Sequence, residues 1–178
     1  MLVLLNFVPP QNGIATQTAS RASDYDRINF GIDLRLGMAK DYVISSLAQN
    51  YRTQRLNVGD EGEGKSSWLI EDKSNSQQVE GALSFEHDKL TTITRYWSST
   101  NDSNFGFGSA LYRATSNFKD EHRTACLLDS GSKENPKGTS KSVFLICGAK
   151  TLEIALNDYV IDGKAVRLAD IMEILGKR

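Results

Sequence analysis

The stretch from Leu36 to Tyr51 limits the choice of folds more than any other part of this chain. Within it Ile44, Leu47, Ala48 and Tyr51 fall at i, i+3, i+4 and i+7, one apolar stripe that Val43 widens on a flank. A helix this short is marginal alone in water, so it must lie on something. The residues that follow are rich in strand signals, and a sheet is what it would lie on.

Composition agrees with one packed domain, or two small ones set closely together. The chain has 178 residues, 39% apolar and 24% charged, an ordinary globular balance that supports a core. Net charge is −1 and no run of Lys or Arg exceeds two, so no basic field invites nucleic acid or anionic lipid.

Met1 to Pro10 is apolar, about the length of a signal-peptide core and far short of the roughly 20 residues that span a bilayer. It lacks a basic region before it. Ser20-Arg21-Ala22 and Gly13-Ile14-Ala15 have the small-x-small form of a cleavage site. These features point to export, to a periplasmic or secreted location. The other reading makes the segment a buried strand of a cytoplasmic protein. No cysteine lies near it, which argues against lipid attachment there. Residues 1–26 are therefore taken as a signal remnant or flexible arm, with Gln11–Asp26 polar and aperiodic.

Two units are expected beyond that arm. Residues 27–100 read as a turn or strand at Tyr25–Ile32, the helix, and a meander of Trp68–Glu71, Val79–Phe85 and Leu90–Trp97. The turn at His87-Asp88 would set Phe85 opposite Leu90 and Ala82 opposite Ile93. Residues 101–178 start with a second helix on which Leu111, Ala114 and Phe118 recur at i, i+3 and i+7. Strands are read at Arg123–Asp129, Val143–Cys147 and Leu152–Leu156, with Ser130–Ser140 a long charged loop. Asp162-Gly163 between β-branched pairs signals a hairpin. Leu168, Ile171, Met172 and Leu175 then suggest a closing helix ended by Gly176. The class is α+β, an antiparallel sheet with short helices on one face, in two helix-plus-three-strand pseudo-repeats.

Chemistry is sparse. Cys126 and Cys147 form a disulfide if their strands pair with Leu128 opposite Leu145, since directly opposed residues lie within bridging reach; otherwise they are buried free thiols. His87 and His122 sit at a hairpin tip and a helix-to-strand junction, without metal-ligand spacing. No Gly-x-Ser-x-Gly motif is present, and the acidic Gly59–Lys65 loop lacks Asp-x-Asp spacing. No catalytic, cofactor or metal set is expected, so the chain reads as a non-enzyme. Binding-surface candidates are aromatic: Trp68, Tyr96, Trp97 and Tyr112 on the sheet side, and Phe105 and Phe107 between glycines at the second helix entry. Such aromatics recur at interfaces and pack cores equally well.

Leu36-Gly37-Met38, Val43, Leu47, the strand aromatic Trp68, and Phe85-Glu86-His87-Asp88-Lys89-Leu90 with Ile93 resemble the motifs of the SmpA/OmlA (BamE-like) domain family, over about residues 28–97. That resemblance implies a small envelope domain whose helices lead into a three-stranded antiparallel sheet. The two-unit plan is similar to the tandem β-lactamase inhibitor proteins, which are secreted and disulfide-bonded. The function expected is a non-catalytic exported protein-binding or scaffold module of the cell envelope or periplasm, which binds another protein, a homodimer included, without nucleic acid or a transmembrane segment. The alternative is a cytosolic secretion-chaperone-like dimer that binds a protein client.

Overall fold

A computed structural model describes residues 27–56, 62–75, 78–98, 106–121, 126–136, 138–161 and 163–176. The expectations for Met1–Asp26, the first part of the Gly59–Lys65 loop, Phe105 and His122 lie outside these residues.

Helix α1 (Lys40–Leu47) forms where the apolar stripe predicts it, with Val43 and Leu47 buried. It is shorter than the stripe, because Tyr51 already belongs to a strand. Ahead of it, β1 (Arg27–Asn29) and β2 (Asp33–Arg35) make a small hairpin that delivers Ile28, Phe30 and Leu34 to the same core. The Gly37-Met38 segment is tied to a distant turn by backbone hydrogen bonds. The Gly37 N–H donates to the Leu90 carbonyl (2.7 Å), and the Leu90 N–H donates to the Met38 carbonyl (2.9 Å). The Lys40 N–H donates to the Asp88 carbonyl, and the Lys40 and Asp88 side chains form an ion pair. The helix start is thus docked on the His87-Asp88 turn, whose two residues both take positive φ, the geometry of a two-residue hairpin.

Each helix is followed by four strands rather than three. After α1 come β3 (Tyr51–Leu56), β4 (Lys65–Asp72), β5 (Val79–Glu86) and β6 (Lys89–Ser98). Helix α2 (Phe107–Glu121) precedes β7 (Leu127–Asn135), β8 (Gly138–Cys147), β9 (Lys150–Ile161) and β10 (Lys164–Gly176). All eight strands belong to one antiparallel sheet in the order β3-β4-β5-β6-β10-β9-β8-β7, so the last strand of each half meets the other at the centre.

Three sequence expectations change. Leu168–Gly176 is not a helix but most of β10. Its apolar residues fit helical spacing, yet Ile171, Glu173 and Leu175 also alternate into one buried face. Hydrogen bonding to β6 on one side and β9 on the other outweighs local propensity. Ser130–Ser140 is not one long loop, because β7 and β8 stay paired as far as Asn135 and Gly138. Phe85 does face Leu90, but a bulge beside it shifts the rest of the register, so that Leu83 rather than Ala82 faces Ile93. Of the expected Asp162-Gly163 hairpin, Asp162 lies outside the described residues, while Ile161 pairs with Lys164 on either side of it.

Both helices lie on one face of the sheet. Leu175 packs with Ile70, Leu83, Phe85 and Ile93 beneath α1, while Ile171 packs with Leu152, Cys147 and the α2 residues Ala110, Ala114 and Phe118. Positions 171 and 175 share a face of β10, so the two cores are neighbours on that face. Between them, the fully buried Lys150 ammonium contacts the Glu173 carboxylate at 2.8 Å. In the first core the Phe30 ring lies against Gly81. A Cβ at position 81 would collide with the Thr94 carbonyl and come within 2.7 Å of the Phe30 ring. Gly81→Ala is therefore expected to cost about 1–3 kcal/mol of overpacking, measured as a lowered urea midpoint with unchanged slope.

Candidate functional site

The face of the sheet opposite the helices carries no helix or strand of its own among the described residues, although Thr151 and Ala155 on it are only 4% and 3% exposed. Register fixes its rows of side chains. Reading across the strands, one row is Leu69, Ala82, Thr94, Ile174, Thr151, Ile146 and Leu127. The next runs Tyr96, Met172, Glu153, Phe144 and Asp129 from β6 to β7. The third is Asp170, Ala155, Ser142 and Gly131. These rows combine apolar and aromatic side chains with hydroxyls and carboxylates, and no Lys or Arg lies on them.

Local chemistry keeps the acids in place. Ser142 Oγ donates to Glu153 Oε1 at 2.9 Å, and Asn157 Nδ2 donates to Asp170 Oδ2 at 2.8 Å. Burial pushes the Asp170 carboxyl above its ordinary range, against the opposing pull of that amide hydrogen bond. Burial also raises the Tyr96 phenol, and the Asp170 charge adds to the effect. No histidine or cysteine lies on these rows. Among the described residues no group of three His, Cys, Asp or Glu is arranged to hold a metal ion.

The aromatic residues nominated from sequence do not gather into one surface. Tyr96 is on the open face, half-buried beside Met172. Its chain neighbour Trp97 points the opposite way, as strand alternation requires. It packs against the second core with the Arg95 guanidinium 4.1 Å from its ring, and its indole N–H has no hydrogen-bond partner. Trp68 packs against the first core and donates to Ser66 Oγ at 3.4 Å. Phe107 and Tyr112 are 38% and 73% exposed on α2. Five positions apart, they are separated by about 140° around the helix axis. Cys126 and Cys147 are joined, with Cα atoms 4.6 Å apart and the Leu128–Leu145 pair beside them in the ladder.

Glu153, Asp170 and Asn157 were not singled out by sequence, and Met172 was read only as part of a closing helix. One signal was present, the carboxyl of Asp170, which with Glu173 interrupts an otherwise apolar Leu168–Leu175 run. It carries meaning only once that run is a strand, with Asp170 facing away from the helix side. No helix among the described residues is long and apolar enough to cross a membrane. Comparison of the chain with protein-family models, curated proteins and solved structures finds no match.

Proposed function

We propose that this protein is a non-catalytic binding module that holds another protein on its open sheet face. The observation that carries the reading is the strip from Tyr96 through Met172 and Glu153 to Phe144, apolar and acidic without a basic residue, on a face left uncovered by both helices. Such a surface suits a partner presenting Lys or Arg among apolar side chains, where charge complementarity sets orientation and apolar contact supplies affinity. The Cys126–Cys147 bridge favours an oxidising compartment, periplasmic or extracellular, over the cytosol.

The two halves fit this role as related units of a BamE-like or β-lactamase-inhibitor-like plan. Each is a helix followed by a four-stranded antiparallel meander, and their mirror-ordered strands meet at β6 and β10. That arrangement gives one wide face instead of two narrow ones.

Photo-crosslinkers placed singly at Met172 and at Tyr112, in protein expressed in its native host, test the assignment. Adducts to a discrete protein are expected from Met172 and not from Tyr112, and Glu153→Arg should weaken the captured interaction by about tenfold or more. Adducts from Tyr112 alone would place the binding surface on α2 and overturn the reading. In the same preparation, denatured unreduced protein should show no free thiol. Two free thiols per chain would favour the cytosolic chaperone-like alternative.

A further inference from the structure

The sheet ends at β7, and its outer edge is unpaired among the described residues. An exposed nine-residue edge is a template for another strand. Leu127 and Leu128 are 65% and 70% exposed there. Asn135 pairs with Gly138 with two chain positions between them, and the Ser130 N–H donates to the Asp129 side chain rather than to β8, so odd-numbered β7 residues bond to β8. The even-numbered ones, Leu128 to Glu134, then direct their N–H and C=O groups outward.

We propose that β7 pairs antiparallel with β7 of a second copy of this chain, about a two-fold axis through Gly131. Full-length overlap of Leu127–Asn135 with itself puts position i opposite position 262 − i. That register brings the outward-facing Ser130 and Ser132 into mutual hydrogen-bonded pairs. It also sets Asp129 directly opposite the partner's Lys133, twice over because the contact is isologous. Gly131 meets its own copy on the axis, at a non-hydrogen-bonded position where backbones approach most closely. Asp129 and Lys133 share the face that carries Phe144, and opposite charges across a non-hydrogen-bonded pair are favourable. The other registers with the same outward pairing shorten the overlap and lose the match. Centring on Ser130 places Asp129 against Gly131, and centring on Ser132 places Lys133 against Gly131.

In the single chain the Asp129 carboxylate accepts the Ser130 N–H at 2.8 Å, covering one outward donor. Pairing replaces that acceptor with the partner's Ser132 carbonyl and frees Asp129 for Lys133. The two eight-stranded sheets then continue into each other, and their open faces become one surface with two equivalent sites. This inference is independent of what the open face binds. A single strand-to-strand contact buries less than a standard interface, so the dimer is expected to be weak, with Kd roughly in the micromolar range.

The test is sedimentation of the full chain from roughly 1 to 500 µM, with Asp129→Lys, with Lys133→Asp, and with both together. The wild type should pass from monomer to dimer across that range. Each single reversal should weaken association by roughly tenfold or more, and the double swap should restore it. Circular dichroism checks that every variant is folded. A wild type that stays monomeric throughout overturns the proposal. So does a dimer indifferent to the single reversals. Concentration-independent hydrogen-exchange protection of the Ser130 and Ser132 amides overturns it too, since another segment of the same chain would then occupy the edge.

Discussion

Glu173→Ala is expected to lower the unfolding free energy by about 3–5 kcal/mol. The reason is what it leaves behind. Lys150 is fully buried at the head of β9, and its ammonium lies 2.8 Å from the Glu173 carboxylate, which is itself 6% exposed. Without the carboxylate the ammonium stays in a desolvated place between the two cores, and drawing in water recovers only part of the cost. The pair itself is a different matter, because desolvating two charges nearly cancels their attraction. Lys150→Met combined with Glu173→Leu should therefore fall within about 1–2 kcal/mol of the wild type, far from the sum of the single changes. Urea denaturation of the four proteins measures this. A Glu173→Ala loss below about 1 kcal/mol would show that the ammonium finds water and is not confined as described.

The second large effect is expected from the cysteines. Replacing both Cys126 and Cys147 by alanine should cost about 3 kcal/mol in the chain-entropy account of a 21-residue separation. Cys147 is 3% exposed and packs in the second core with Phe118 of α2. The bridge therefore ties the β7–β8 ladder to the layer that holds this helix. Hydrogen exchange should show the loss concentrated in α2, β7 and β8, with α1 and β3–β5 little changed. Denaturation with and without reductant gives the total. Equal stability in both would mean that the bridge constrains nothing.

How much could be read from sequence differs from element to element. α1, most strand segments and the turn at His87-Asp88 were legible, because short-range periodicity and turn chemistry decide them. The register of the cysteine hairpin was legible for a related reason, since Leu128 opposite Leu145 forces position 126 against 147. The β6 register was not, because a bulge beside Phe85 inserts one residue that no local pattern announces. Ser130–Asn135 looked like a loop from its Gly, Ser and charged residues, yet β8 on one side is enough to hold it extended.

The aromatic candidates failed to gather for the same reason. Tyr96 and Trp97 are adjacent in sequence, which reads as a cluster, but adjacency in a strand means opposite faces. The residues that do share the open face, such as Tyr96, Met172 and Glu153, come from strands far apart in the chain.

By itself the sequence determined that this chain builds antiparallel strands under short amphipathic helices, where the His87-Asp88 turn falls, and that its two cysteines can meet. These follow from interactions within a few residues or within one hairpin. Tertiary structure alone decided that Leu168–Gly176 is a central strand rather than a closing helix, because its helical and alternating patterns are equally good until β6 and β9 stand on either side. It also decided which carboxylates face outward together and which ion pair is sealed between the cores. Both depend on long-range register, and a one-residue shift in pairing moves every side chain of a strand to the other face.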